Sequence, residues 1–234
     1  MNLAVILARG GSKRIPKKNI RNFCGQPMIN WSIKAAKKSK CFDKIIVSTD
    51  DQEIANISQI NGAEIPFIRP RKLADDFSPT QDVVKHAINW FEENNFKLEL
   101  VCCIYAAAPF ISYKDIQKAI RLMSDSKTNT FIFPATSYQY PIQRSFKINK
   151  AGYAQMYNPD NFFARSQDLE EAFHDSGQFY LASKSAWKNV QNIFTNSKPI
   201  IIPRWRVEDI DTEEDLKNAE IKAKILKMQE ENNV

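Results

Sequence analysis

Two stretches of the chain carry residue types that could do chemistry together. The first is the loop Arg9-Gly-Gly-Ser-Lys-Arg-Ile-Pro-Lys-Lys-Asn19, which follows the bare apolar run from Leu3 to Ala8. Gly10 and Gly11 let the backbone come close to a bound group, Ser12 adds a hydroxyl, and Arg9, Lys13, Arg14, Lys17 and Lys18 add fixed positive charge. Free backbone N–H groups and cations both favour a bound anion, so the loop suits a polyphosphate. It fits neither the Gly-x-x-x-x-Gly-Lys-Ser/Thr spacing nor the Gly-x-Gly-x-x-Gly spacing. The second stretch is Val207-Glu-Asp-Ile-Asp-Thr-Glu-Glu-Asp-Leu216, where Asp209 and Asp211 alternate about Ile210. In extended backbone both carboxylates point to one side. Such a pair can hold a magnesium ion, which takes few protein carboxylates and keeps positions for phosphate oxygens. Plainer readings stand beside both: a basic surface turn after a core strand, and an acidic helix start that suits the helix dipole.

The elements that must position these groups alternate between strand and helix. Leu3 to Ala8 reads as a buried strand, Pro27 to Lys40 as a helix with Ile29, Ile33 and Ala36 on one face, and Lys44 to Asp50 as a second strand. A helix capped by Asp50 or Asp51 follows, then a third short strand from Ala63 to Arg69 and a helix from Thr80 to Asn94. Leu98 to Ala106 is the most hydrophobic run and belongs at the sheet centre. Ser112 opens a helix to Met123, with Asp115 in a capping-box position, and Thr130 to Thr136 is a further strand. Strand–helix–strand units of this length make parallel crossovers. The expected fold is therefore α/β, a three-layer, mostly parallel, Rossmann-like sheet that binds ligands at the carboxyl ends of its strands. The loops after Ala8, Asp50, Arg69, Tyr105 and Ala135 then share one edge.

From Ser137 to about Gln178 the rhythm changes, and aromatic and polar residues crowd together. A hairpin from Phe146 to Met156 about Lys150-Ala151-Gly152 fits this segment, which reads as an insertion serving a site or a partner surface. The α/β pattern resumes at Gln178 to Ala182 and Lys198 to Pro203 and ends in a helix from Thr212, its cap, to Gln229. With 234 residues and 43% hydrophobic content, residues 1–234 are expected to form one domain carrying an insertion at about 137–178.

No apolar run approaches the roughly 20 residues of a membrane span, and the first residues read as a strand rather than a signal peptide. A cytoplasmic protein with no membrane partner is expected. Cys24, Cys41, Cys102 and Cys103 lack C-x-x-C spacing and read as buried, reduced thiols. The net charge is +6, but the basic residues are dispersed, and only Tyr138, Tyr140 and Arg144 interleave aromatic with basic character. That is too little for a nucleic-acid platform, so no nucleic-acid partner is expected.

The first loop, Ala8-Arg-Gly-Gly-Ser-Lys-Arg-Ile-Pro-x-Lys-Asn19, resembles the opening of the sugar nucleotidyltransferases, in the form found in the cytidylyltransferases that activate sialic-type sugar acids. Cys41 to Asp50, Arg69-Pro70 with Leu73, and Asp209-Ile-Asp-Thr-x-x-Asp-Leu216 resemble the same family in register. Three places depart from the sialic acid pattern: Tyr105-Ala-Ala-Ala-Pro109 for Gln-Pro-Thr-Ser-Pro, Tyr140-Pro-Ile-Gln143 for His-Pro-x-Lys, and Arg165-Ser-Gln-Asp-Leu169 for Arg-Gln-x-Leu-Pro. A different substituent pattern is then being read, because buried polar partners are costly to leave unpaired. With Pro141 to Phe146 and His174-Asp-Ser-Gly-Gln-Phe-Tyr180, the set looks like the pseudaminic acid cytidylyltransferases.

The resemblance implies a magnesium-dependent transfer of CMP from CTP to the anomeric hydroxyl of a nine-carbon keto-sugar acid, most closely pseudaminic acid. It places Ala8, Arg9, Gly10, Gly11, Ser12, Lys18, Asn19, Arg69 and Thr80 at the nucleotide, and Tyr105, Gln143, Arg165, Gln178 and Tyr180 at the sugar. Lys18 and Asp211 would be catalytic, Asp209 and Asp211 would hold Mg2+, and the insertion would complete the sugar pocket of a second subunit in a homodimer. Two alternatives stay open: another acidic sugar (legionaminic, sialic or octulosonic acid), or a non-catalytic nucleotide- or RNA-binding module. His86 has no assigned role, His174 is left open, and Phe162, Phe163 and Phe179 are expected to pack.

Overall fold

The computed structural model describes residues 1–127 and 129–232. The chain begins with β1 (Asn2–Leu7), then a short hairpin, β2 (Asn22–Phe23) and β3 (Gln26–Pro27), before α1 (Ile29–Ser39). The helix therefore starts two residues later than its apolar pattern suggested. Cys24 and Gly25, both at positive φ (49° and 89°), make the two-residue turn whose twist suits a hairpin and which draws Gln26 and Pro27 into β3. β4 (Lys44–Ser48) and α2 (Gln52–Ile60) follow, with the Asp51 carboxylate accepting from the Ile54 N–H as the cap. The expected third strand from Ala63 to Arg69 does not form. Only a single parallel bridge joins Glu64 to Ile46, and Pro66 and Pro70 remove the N–H donors a longer ladder needs.

The chain continues through α3 (Thr80–Glu93), β5 (Leu100–Tyr105), α4 (Tyr113–Ser124) and β6 (Phe131–Ser137). Ser112 caps α4 through the Lys114 N–H, but Asp115 does not close a capping box; its carboxylate takes Arg206 instead, at 2.5 Å. The insertion contains the expected hairpin, β7 (Phe146–Ile148) with β8 (Ala154–Met156), and returns to the sheet as β9 (Phe173–Asp175). Then come β10 (Phe179–Ser183), α5 (Lys184–Asn189), β11 (Ser197–Ile201) and α6 (Glu213–Asn232).

The sheet runs β11-β6-β10-β5-β1-β4, with β9 on the same side of β6 as β10. β4, β1 and β5 are mutually parallel, and so are β6 and β11; β10 is antiparallel to both β5 and β6. Two antiparallel steps restore direction, so β1, β4, β5 and β6 end at one edge while β10 begins there. Helices cover both faces. One apolar layer joins Ile6, Ile33, Val47 and Ile104 with Ile116 of α4; the other joins Val5, Val84, Phe91 and Phe131 with Trp187 of α5. β1 and β5 are sealed on both sides, which is why their sequences are continuous apolar runs.

Candidate active site

A cleft of about 1130 Å³ opens at the carboxyl edge. Arg9, Ser12, Lys18, Asn19, Arg69, Thr80, Tyr105, Tyr180, Asp209 and Asp211 all line it, so ten of the residues singled out by sequence meet in one place. Ala8 is fully buried behind the loop.

The loop after β1 is held tightly at its neck. The Gly10 N–H donates to Asp50 Oδ1 at 2.9 Å, and a Cβ on Gly10 would lie 2.9 Å from both Cβ and Oδ2 of Asp51. Gly10 is therefore required for close approach to the start of α2, whereas the Cβ position of Gly11 faces open space. The Ser12 N–H donates to Gly10 O, and buried Asn19 donates its Nδ2 to Arg9 O at 2.9 Å, drawing the two ends of the loop together. Among the described residues, the N–H groups of Gly11, Lys13 and Arg14 donate to no protein acceptor, which leaves three donors on a cationic loop.

What joins the two ends of the sequence is a small separate core. Ile15 from the loop, Phe23 and Met28 from the hairpin region, and Ile210, Leu216 and Ala219 from the acidic segment and α6 are all buried together. Each large apolar side chain buried there contributes about 1.5–3 kcal/mol. Ile210 is anchored in this core while Asp209 and Asp211, on either side of it, line the cleft, as alternation requires, although the segment is irregular rather than a regular strand. Lys18 Nζ donates to Ile210 O at 2.7 Å and lies 3.3 Å from Asp211 Oδ1; Arg14 Nη2 lies 2.8 Å from Asp211 Oδ2. The Asp215 carboxylate accepts from the N–H groups of Asp211 and Thr212 and from the Thr212 hydroxyl, fixing the start of α6.

Asp209 makes no hydrogen bond or ion pair among the described residues. Partial burial and then the like charge of Asp211 raise its carboxyl above the ordinary carboxylate value. An ionised, unpaired carboxylate beside a second one is a place for a cation. Among the described residues no group of three or more His, Cys, Asp or Glu gathers as a protein cage. The donor set is thus a pair, as suits Mg2+ sharing its shell with phosphates and water.

At the other end of the cleft, Thr80 Oγ1 and the Tyr105 hydroxyl are 2.9 Å apart, which puts a residue expected at the base and one expected at the sugar in direct contact. Tyr180 packs edge-on against Tyr105 with ring centroids 6.2 Å apart. Burial first, and then the neighbouring acidic groups, keep both phenols protonated. Arg69 is buried, with Nε on Ser48 Oγ at 3.0 Å and Nη2 on Ser48 O; burial lowers it to about 10 and Asp50 opposes the shift. It braces the end of β4 as well as lining the cleft.

Three expected sugar residues lie elsewhere. Gln178 is buried, with Nε2 on Arg206 O at 2.7 Å and Oε1 without a partner. Gln143 reaches Glu170 O, and Arg165 pairs with Asp168; both sit on the insertion, outside this chain's own cleft. Phe179 is in the core as expected, but Phe162 and Phe163 pack on each other edge-on and are exposed. Of the four free cysteines, Cys102 and Cys103 are buried, whereas Cys24 is exposed at the hairpin tip.

Sequence reasoning missed Asp76, which lies 2.6 Å from both Arg9 and Lys13; the run from His174 to Gly177, read there only as part of the resemblance, also lines the cleft. Leu73-Ala-Asp-Asp-Phe-Ser78 was readable only as a loop before a helix, although paired acids near a cationic loop were the available signal.

A mostly parallel sheet, a glycine loop at its carboxyl edge and late aspartates closing on that loop define a nucleotidyltransferase. The chain belongs to the cytidylyltransferase family, whose model matches residues 3–227. It is 42% identical over 225 residues to a pseudaminic acid cytidylyltransferase of Campylobacter jejuni, covering 96% of this chain and 97% of that protein. It is 32% identical over 210 residues to a Helicobacter pylori protein named for pseudaminic acid cytidylyltransferase and UDP-2,4-diacetamido-2,4,6-trideoxy-beta-L-altropyranose hydrolase, covering 89% of this chain and 40% of that protein. The fold is that of CMP:2-keto-3-deoxy-manno-octonic acid synthetase complexed with CTP, at a TM-score of 0.71 and 16% identity over 97% of this chain and 99% of that one.

Proposed function

We propose that this cytidylyltransferase activates pseudaminic acid. The anomeric oxygen of the nine-carbon sugar acid forms a bond to the α-phosphorus of CTP, the bond from that phosphorus to the bridging oxygen of the β-phosphate breaks, and pyrophosphate leaves with the bond's electron pair. The observation that carries this reading is the convergence of Lys18 and Arg14 on Asp211, across 193 and 197 residues of sequence. A fixed cation at that point can stabilise charge developing on the transferring phosphate. Arg9, Ser12, Lys13 and the free N–H groups of Gly11, Lys13 and Arg14 would receive the phosphates. Thr80 and Arg69 would lie at the nucleoside end, and Tyr105 and Tyr180 at the sugar.

Asp209 and Asp211 would hold Mg2+. The cleft is lined by six carboxylates against five cationic side chains, so a triphosphate added alone would leave it strongly anionic. A magnesium ion held there would supply positive charge that offsets that imbalance. Asp211, once its two cations turn to phosphate, would accept the anomeric proton.

The insertion would pack against a second copy and bring Gln143 and Arg165 to the partner's sugar site. Its exposed apolar side chains support this: Phe163 is 91% exposed, Ile148 and Tyr153 72%, and Tyr157 69%. Among the described residues no helix is long and apolar enough to cross a membrane. Pyrophosphate release should be measured with each nucleoside triphosphate against pseudaminic, legionaminic, sialic and octulosonic acids. CTP with pseudaminic acid should give the highest kcat/KM; faster turnover of another sugar acid would reassign the substrate.

A further inference from the structure

Asp76 has no counterpart in the chemistry set out above, yet it engages two of the phosphate-loop cations directly. Arg9 Nη1 lies 2.6 Å from Asp76 Oδ1, and Lys13 Nζ lies 2.6 Å from Asp76 Oδ2, so each carboxylate oxygen takes one cation. All three residues line the cleft. A carboxylate held this way sits where a phosphate oxygen would have to sit to use both cations.

The segment that carries it lies at the surface and is held by hydrogen bonds of its own. Neighbouring Asp75 bonds Ser78 Oγ at 2.6 Å and the Phe77 N–H at 3.0 Å, which folds residues 75–78 on themselves. Phe77 is 90% exposed, and Asp76 and its two partners all keep solvent-accessible side chains. Lys13 and then Arg9 hold the Asp76 carboxyl below the usual carboxylate range, so it is charged wherever CTP is charged.

We propose that Asp76 is an internal competitor for the phosphate-binding cations: it yields Arg9 and Lys13 to the triphosphate and reclaims them as pyrophosphate departs. Asp76 thereby sets the affinity for nucleotide and helps to expel product. This inference rests on Arg9 and Lys13 being phosphate contacts. The opposite role, in which Asp76 pre-positions the two cations for phosphate, predicts effects of opposite sign.

Titration calorimetry with inorganic pyrophosphate, and with CTP in the presence of Mg2+, separates the two. Asp76→Asn should tighten pyrophosphate binding roughly three- to thirty-fold, the range expected for losing competition from two exposed ion pairs. The advantage over the unsubstituted enzyme should shrink as salt rises, because exposed charges are screened. In turnover assays the KM for CTP should fall and inhibition by pyrophosphate should strengthen, while Asp76→Glu should bind pyrophosphate as the unsubstituted enzyme does. Equal or weaker pyrophosphate binding by a folded Asp76→Asn protein, checked by thermal unfolding, would overturn the proposal. Unchanged pyrophosphate affinity in Arg9→Ala would instead remove the phosphate-contact reading beneath it.

Discussion

Around the cleft, the cationic side chains are tied to protein partners, whereas across the insertion apolar side chains stand in solvent. Arg9 and Lys13 rest on Asp76, Arg14 and Lys18 on Asp211, and Arg69 on Ser48. Between residues 138 and 173 the exposed groups instead include Tyr140, Phe146, Ile148, Tyr153, Tyr157 and Phe163. The first region is organised by its own small core and by charge pairing within one chain. The second buries little of its own, so its order is the kind a partner surface supplies. On the proposed function, the difference would separate the reaction's two needs: phosphate chemistry held inside one subunit, and sugar recognition completed between two.

That division can be broken by substitutions of graded effect. Asp211→Ala should abolish pyrophosphate release while leaving the far-ultraviolet circular dichroism and the unfolding temperature near those of the unsubstituted protein. Near-normal turnover would remove the metal assignment. Lys18→Ala should lower kcat by about 10²-fold or more, the usual loss when one charge-stabilising group is removed. Ile210→Ala should lower stability by about 2–5 kcal/mol in denaturant titrations, because it empties part of the core joining the two halves of the cleft. It should also raise the Mg2+ concentration needed for half-maximal activity. Ile148→Asp, on the exposed hairpin, should shift sedimentation toward monomer and raise the KM for the sugar acid, while leaving CTP affinity unchanged.

The smallest effect concerns Asp209. Its folded-state carboxyl titrates above the unfolded value of 3.8, so the folded protein binds that proton more tightly. Stability from this group is therefore full below the unfolded value and is lost as pH rises through the folded one. Without Mg2+, Asp209→Asn should slightly raise the unfolding temperature at pH 7 and leave it unchanged below pH 3.8. An equal gain in the presence of saturating Mg2+ and CTP would argue against a metal at Asp209.

Much of the sheet was legible because buried parallel strands are written as uninterrupted apolar runs, as in β1 and β5. The hairpin before α1 was not, since Cys24 in a left-handed conformation leaves little trace in residue type. The strand expected from Ala63 to Arg69 failed because its prolines interrupt a ladder, and its apolar residues serve packing instead: Ala63 and Ile65 join one apolar layer, while Phe67 meets His86 and Trp90 of α3. Within the cleft, the glycine loop and the aspartate pair announced themselves by type and spacing. Asp76 did not, because an acid on a loop takes its meaning from what lies across from it in space. Nor could the sequence say that Thr80 and Tyr105 touch, since they come from different elements brought together at the sheet edge.

Anomalous diffraction from crystals grown with CTP and Mn2+ in place of Mg2+ tests the central claim most directly. The account predicts a metal peak bonded to Asp209 and Asp211 and to triphosphate oxygens, with Lys18 facing the α-phosphate and Arg9 and Lys13 on the outer phosphates. A metal peak away from the aspartate pair, or a triphosphate that does not touch the loop from Arg9 to Asn19, would contradict it.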